Sequence, residues 1–228
     1  MAINRVSKID DLVEIKNILV SVSDKTGLEL FIKPLIHLIP DLTIYSTGGT
    51  FNYLKEALAE QAGKHLVPVT VYTGQPEMEG GLVKTLDYKI YLGLLSEKYN
   101  EYHQRDLKRL QASVLDMVVV NLYPFKKTVA QGDSIFEDAR GNIDIGGPCM
   151  LRAAAKNFLR VLPLCDPGTY DKIITELKRN SGKISLLTRF ENARSCFKHT
   201  AEYDHAISEY LNIQDFQRVI ESYNIIKG

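Results

Sequence analysis

An excess of charge of either sign is missing: Lys+Arg and Asp+Glu each number 28 in 228 residues. No global basic field exists to draw in nucleic acid or an anionic membrane, so any anion site has to be local. Cysteine is scarce. Cys149, Cys165 and Cys196 are odd in number and lack CxxC spacing, which argues against a disulfide framework and a structural zinc site and suits a reducing cytoplasm. No apolar run approaches the length of a membrane span, and the opening MAINRVSKIDDLVEIKN is too charged for a signal peptide. The patterns GxxxxGK[ST], GxSxG and HExxH are also absent, so neither a nucleoside triphosphate cradle nor the common hydrolase templates have support. His65, His103, His199 and His205 have no metal-ligand spacing to one another, and His37 reads as packing in an apolar helix. There is no diagnostic repeat and no low-complexity tract.

What remains is ordinary globular composition, 45% hydrophobic and 25% charged. NILVSVS (17–23) is a short β-branched run, and GLELFIKPLIHLI (27–39) carries apolar residues at helical spacing. LTIYSTGGT (42–50) and FNYLKEALAEQ (51–61) repeat the strand-then-helix pattern, and KHLVPVTVYTG (64–74) reads as a third extended segment. QPEMEGGLVKTLDYKIYLGLL is a glycine-broken stretch of loop and strand character. LKRLQASVLDMVVVNLYPF gives a helix end and the clearest buried strand, 117–122. NFLRVLPLC (157–165) reads as a strand, TYDKIITELKRN (169–180) as a helix, and 186–211 as helices appended to the sheet. Strands alternating with helices predict an α/β fold: a three-layer arrangement of a parallel sheet flanked by helices. No linker divides the chain, so 1–228 reads as a single domain, with a sheet core of about 15–185 and a C-terminal helical extension of about 186–228.

In such sheets ligands collect at the carboxyl ends of strands, where SVSDKTG, STGGT and NLYPF sit. Ser21, Ser23, Lys25 and Thr26 stand between a strand and a helix, where hydroxyls, a lysine and helix N–H groups can share a phosphate. Thr47, Gly48, Gly49 and Thr50 repeat that logic at the next junction. Either cluster alone fits a plain helix cap; two at successive strand ends converge better on one small phosphate. Lys84, Tyr123, Asp144 and Lys156 add groups able to move protons without metal or cofactor, with Thr85 and Asn121 beside them in the same motifs, although each has a dull alternative such as turn, strand end or solvated face. In NIDIGGPCMLRAAAKN (142–157), Gly146 and Gly147 precede a proline suited to the first turn of a helix, so backbone N–H groups are free to meet an anion or developing oxyanion.

The ordered set SVSDKTG, STGGT, PEMEGGLVKTL, NLYPF, DIGGPCMLRAAAKN and HTAEYDHAISEYL resembles the inosine monophosphate cyclohydrolase domain of the bifunctional purine-biosynthesis enzyme. The likeness runs over residues 18–211. It implies a methylglyoxal-synthase-like fold and a cofactor-free, cytoplasmic enzyme acting on a purine-precursor ribonucleotide, 5-formamidoimidazole-4-carboxamide ribonucleotide, with no nucleic-acid or membrane partner; a homodimer is left open. Carried over by residue, it makes Ser21, Ser23, Lys25, Thr26, Thr47, Gly48, Gly49, Thr50 and Thr85 nucleotide contacts. Lys84, Tyr123, Asp144 and Lys156 become the catalytic group, with Asn121 and the backbone of Ile145 and Gly146 near the reacting carbonyl. No metal is implied.

Three points stand apart from the resemblance. Lys156 lies about 12 Å beyond Pro148 along a continuous helix, so the substrate must extend along it or the helix must start later. Family members usually carry GGRVKTLHP, whereas Leu82 stands here where a phosphate-binding arginine would be, and Asp87 and Tyr88 replace His-Pro. At Gly228 the bifunctional enzyme would continue, so no transformylase domain is expected. The rival expectations are a catalytically weak purine-nucleotide sensor on the same scaffold and a methylglyoxal-synthase-type lyase.

Overall fold

The computed structural model describes residues 5–76, 85–130 and 135–226. In chain order the elements are β1 (Leu12–Glu14), β2 (Asn17–Val22), α1 (Leu28–Leu38), β3 (Thr43–Ser46), α2 (Gly48–Leu58), α3 (Ala62–His65), β4 (Leu66–Pro68) and α4 (Val69–Thr73). They continue with α5 (Tyr88–Leu95), α6 (Glu101–Arg109), β5 (Met117–Asn121), α7 (Phe125–Val129), α8 (Phe136–Gly141), α9 (Gly146–Lys156), β6 (Leu162–Leu164), α10 (Tyr170–Arg179), β7 (Lys183–Ser185), α11 (Leu186–Asn212) and α12 (Phe216–Glu221).

Five strands form one parallel sheet in the order β4-β3-β2-β5-β6. The chain moves outward from β2 through β3 to β4, then returns to pair β5 on the other side of β2. That reversal makes a topological switch point, and the crevice beyond the carboxyl ends of β2 and β5 is where such sheets receive ligands. Both faces of the sheet are covered, which is why NILVSV and MVVVN are almost continuously apolar. Ile18, Val20, Met117 and Val119 point into one core with Phe31, Leu35, Leu54, Ile173 and Leu177 from α1, α2 and α10. Leu19, Val118 and Val120 point into the other, with Ile90, Leu94, Met150, Leu151 and Cys196 from α5, α9 and α11.

The opposite end of the sheet is fastened by a buried ion pair. Asp116 Oδ2 accepts the Lys16 and Asn17 N–H groups at 3.0 and 2.9 Å, and Arg160 Nη1 lies 3.6 Å from Oδ1. Burial pushes the Asp116 carboxyl up and the Arg160 guanidinium down, the attraction between them opposing both shifts. Arg189 is wholly buried in α11 and donates to the carbonyls of Asp10, Asp11, Phe158, Leu159 and Ile184. It thereby ties the antiparallel β1–β7 ribbon and the start of the chain to the main body.

Several expectations need correction. Of 64–74 only Leu66–Pro68 is strand, because β3 offers pairing to just those residues; Val69–Thr73 turns into helix despite its β-branched composition. The stretch read as loop and strand holds a helix, Tyr88–Leu95, started by the Asp87 carboxylate accepting the Lys89 N–H at 2.7 Å. Within 157–165 only Leu162–Leu164 pairs, alongside β5. The helix at 186–212 is a covering layer rather than an appendage: its Ala193, Cys196 and Tyr203 are buried in the core shared with α9.

Candidate active site

A cavity of about 410 Å³ opens at the carboxyl ends of β2, β3 and β5. The β2 end contributes Ser21, Ser23 and Lys25, the start of α2 contributes Thr47, Gly48, Gly49 and Thr50, and the end of β5 contributes Asn121 and Tyr123. The loop into α9 closes it with Asp144, Ile145 and Gly146, and Thr85 completes the wall. Fourteen of the residues singled out from sequence, Gly147 among them, therefore line one space, joined by Val22, Gly141, Ile143 and Met150, which sequence reasoning had not singled out.

Ser21 Oγ and Thr47 Oγ1 lie 2.8 Å apart, two hydroxyls from neighbouring strand ends aimed at the same place. α2 begins directly beyond, so its first N–H groups face the cavity beside Lys25, whose Nζ donates to the Ser23 carbonyl at 3.3 Å. Other expected contacts are occupied by the protein itself. The Thr50 hydroxyl both accepts from the Val22 N–H and donates to the Val22 carbonyl, each at 3.0 Å, and is buried. Asn121 Oδ1 accepts the N–H groups of Ser23 and Asp24 at 2.7 and 3.0 Å, while its Nδ2 donates to the Asp24 carbonyl at 2.7 Å. Its amide thus braces the β2–α1 loop. Thr26 turns away to Asp24, donating from its hydroxyl and its N–H at 2.7 and 2.9 Å, and is not part of the cavity wall.

Asp144, in the stretch NIDIGGPCMLRAAAKN, stands ahead of α9. Its Oδ1 accepts the Gly147 N–H at 2.9 Å, and the Tyr123 N–H also donates to the carboxylate. Burial nevertheless raises its pKa above the ordinary carboxylate value, the two donors only partly offsetting the desolvation. The paired glycines are steric requirements: a Cβ on Gly146 would collide with Thr85 Oγ1, and one on Gly147 would lie 2.6 Å from both Asp144 Oδ2 and Leu122 Cδ2. Tyr123 presents its ring to solvent, half exposed, at the cavity mouth.

Lys156 is not brought to this space. α9 starts at Gly146, two residues before Pro148 rather than after it, and runs to Lys156, about 15 Å further along the axis at roughly 1.5 Å per residue. The side chain is exposed at the far end. Lys84 and Leu82 lie outside the described residues. A residue with no assigned role in the sequence reading joins from behind: Tyr203 of α11 accepts the Asp144 N–H at its hydroxyl, 2.8 Å away. The motif HTAEYDHAISEYL contained it, but a contact across 59 positions leaves no local signal. Among the described residues there is no group of three His, Cys, Asp or Glu side chains arranged to hold a metal ion, and no helix is long and apolar enough to cross a membrane.

Residues 27–149 match the family described as MGS-like domain, and 154–226 match the AICARFT/IMPCHase bienzyme family. The chain is 44% identical over 197 residues to the bifunctional purine biosynthesis protein PurH of Ruminiclostridium cellulolyticum, covering 86% of this chain and 37% of that protein. For the protein of the same name from Bacillus mycoides the identity is 45% over 199 residues, covering 87% and 37%. The chain thus spans little more than a third of the curated relatives it matches. Among solved structures, the crystal structure of ForH superposes with a TM-score of 0.71 at 30% identity, covering 86% of this chain and 98% of that one.

Proposed function

The chain belongs to the MGS-like domain family, and from that premise we propose that it is an inosine monophosphate cyclohydrolase. Its substrate in this reading is 5-formamidoimidazole-4-carboxamide ribonucleotide, which closes its second ring and loses water. The observation that carries the proposal is the meeting, in one cavity, of a phosphate-sized cluster of hydroxyls and helix N–H groups with Asp144, Tyr123 and the α9 start. The relatives' name, purine biosynthesis protein, supports the substrate class.

The phosphate is held by Ser21, Ser23, Lys25, Thr47 and the N–H groups of Gly48 and Gly49. Thr50 and Asn121 keep those elements in place from below. In the chemical step the carboxamide nitrogen attacks the formyl carbon of the same molecule, so holding the two in attack geometry supplies much of the acceleration. Asp144 takes the proton from that nitrogen; its raised pKa makes it a better base than an exposed aspartate. The formyl oxygen gains negative charge as the bond forms, and the backbone N–H groups of Ile145 and Gly146 are the donors for it, the Gly147 N–H being held by Asp144. Tyr123 and Lys84 are the groups that protonate it, so that the C–O bond breaks with water as leaving group; the formamido nitrogen gives up its N–H proton as the C=N bond of the new ring forms, and that proton, with the one on Asp144, replaces those the two donors have lost. Lys156 stands at the other end of α9, away from the cavity wall, and is assigned no step in this reading. No step requires a metal.

The test is incubation of the purified chain with the formylated ribonucleotide in the presence of a chelator, with products separated by chromatography. Inosine monophosphate should accumulate. Tight binding of the nucleotide without product would favour the sensor reading, and activity lost to chelator but restored by a divalent ion would sink the metal-free step.

A further inference from the structure

Asp144 sits in the short connection between α8 and α9, and its side chain and backbone are restrained separately. The carboxylate is held by N–H groups of Gly147 and Tyr123, both neighbours of the cavity. The backbone is held from another layer of the fold. The Asp144 N–H donates to Tyr203 Oη at 2.8 Å, and the same hydroxyl donates over a longer 3.4 Å to the Asn142 carbonyl. One phenol therefore clasps both ends of the Asn142–Ile143–Asp144 turn.

Tyr203 is suited to that work. It is 9% exposed, and its ring meets Phe125 edge-on with centroids 6.4 Å apart. Burial first, and the nearby Asp144 and Asp204 charges after it, push its pKa up against the pull of the Asp144 N–H, so the hydroxyl keeps its proton and can accept and donate together. The charges of Asp144 and Asp204 act on the Tyr203 hydroxyl, and an adjoining cavity that it borders is also lined by Asp24, Tyr123, Lys126, Lys127, His199 and Glu202. Tyr203 does not line the cavity that holds Asp144; it borders the adjoining one, of about 580 Å³, which shares Asn121 and Tyr123 with it. The Tyr203 hydroxyl meets the wall of the first cavity at the Asp144 N–H.

We propose that Tyr203 is a positioning residue for the Asp144 base, so that α11 sets the geometry of the chemical step. The proposal rests on the cyclohydrolase reading. A buried aromatic with an incidental hydroxyl would predict nothing beyond packing, and Tyr203→Phe separates the two because it keeps the ring. With one hydrogen bond lost from the base's backbone, turnover should fall about 3- to 10-fold, while the KM for the ribonucleotide stays within about 2-fold. Freed from its clasp, the turn takes up water, and the acid limb of the pH–rate profile moves down toward the ordinary aspartate range. Tyr210→Phe, a hydroxyl removed from the same helix where the ring packs on Phe125 at 5.6 Å, should leave turnover and profile unchanged.

A second readout needs no turnover: the Asp144 carboxyl titration followed by ¹³C NMR in wild type and Tyr203→Phe. A downward shift in the variant supports positioning even if the wild-type chain makes no product, in which case the cyclohydrolase reading falls and this one stands. An unchanged titration overturns the proposal whatever the activity, as does a turnover loss reproduced by Tyr210→Phe.

Discussion

Asn121→Ala separates a loop brace from a catalytic amide. In the structure the side chain accepts from two backbone N–H groups of the β2–α1 loop and donates to one carbonyl, at 2.7, 3.0 and 2.7 Å. Each such bond contributes roughly 0.5–1.5 kcal/mol net, and the freed groups can be partly rehydrated because the loop is half exposed, so about 1–3 kcal/mol of loop order is at stake. That loop carries Ser23 and Lys25 to the cavity. Binding must then re-order it, which weakens nucleotide affinity about 5- to 150-fold. Once substrate is bound the loop is back in place, so turnover at saturation should change less than about 3-fold. Calorimetric titration with inosine monophosphate, with inosine as the phosphate-free comparison, measures the first quantity; steady-state kinetics measures the second. The nucleoside should lose little. Had the amide faced the reacting carbonyl, as the resemblance implied, turnover would instead fall about 10²–10³-fold with affinity nearly intact. That outcome would refute the bracing argument.

Three further predictions follow from the same geometry. Asp144→Asn keeps an oxygen for the Gly147 N–H but removes a charge that burial disfavours; because the folded-state pKa is raised, wild type loses this group's contribution as pH climbs from the ordinary aspartate value of 3.8 through the raised one. The variant should therefore be at least as stable as wild type in denaturant titrations near neutral pH, with the advantage shrinking as pH falls through that window; an advantage that grows on acidification would contradict it. Gly147→Ala forces its methyl against Asp144 Oδ2 and Leu122 and should lower turnover about 10²-fold through a displacement of the base of the order of an ångström, whereas Gly49→Ala meets open space and should fold normally. A Gly147→Ala variant with wild-type kinetics would mean the Asp144 turn gives way freely. Arg189→Leu strands carbonyls of Asp10, Asp11, Phe158, Leu159 and Ile184 and should cost about 3–5 kcal/mol in chemical denaturation without altering nucleotide affinity in the folded fraction; a loss under about 1 kcal/mol would show those carbonyls finding water.

How legible the molecule was in its sequence depended on where each signal is stored. β2 and β5 were readable because strands buried on both faces must be apolar throughout, and α10 because one face of YDKIITELKR is apolar at helical spacing. VTVYT misled because β-branched residues favour strand only where a neighbouring strand is present, and β3 had ended. Tyr88–Leu95 was hidden by the glycines before it, though Asp87 offered a cap signal. For the site, the strand-end polar clusters pointed through the switch-point rule to the space where the cavity lies. Sequence could not tell a hydroxyl facing the cavity, such as Ser21, from one spent on the scaffold, such as Thr50, because that depends on which backbone group lies opposite. The distance worry over Lys156 was sound and sharpened by the earlier helix start; the contact made by Tyr203 depended on how α11 folds back.

The most direct measurement of the central claim is the rate of inosine monophosphate formation at saturating formylated ribonucleotide, recorded side by side for wild type and Asp144→Asn with nucleotide affinity determined for both. The account predicts steady turnover by wild type, and in the variant affinity within a few-fold but turnover lower by about 10²-fold or more. Wild type that binds the nucleotide yet forms no product, or a variant that turns over as fast as wild type, would contradict it.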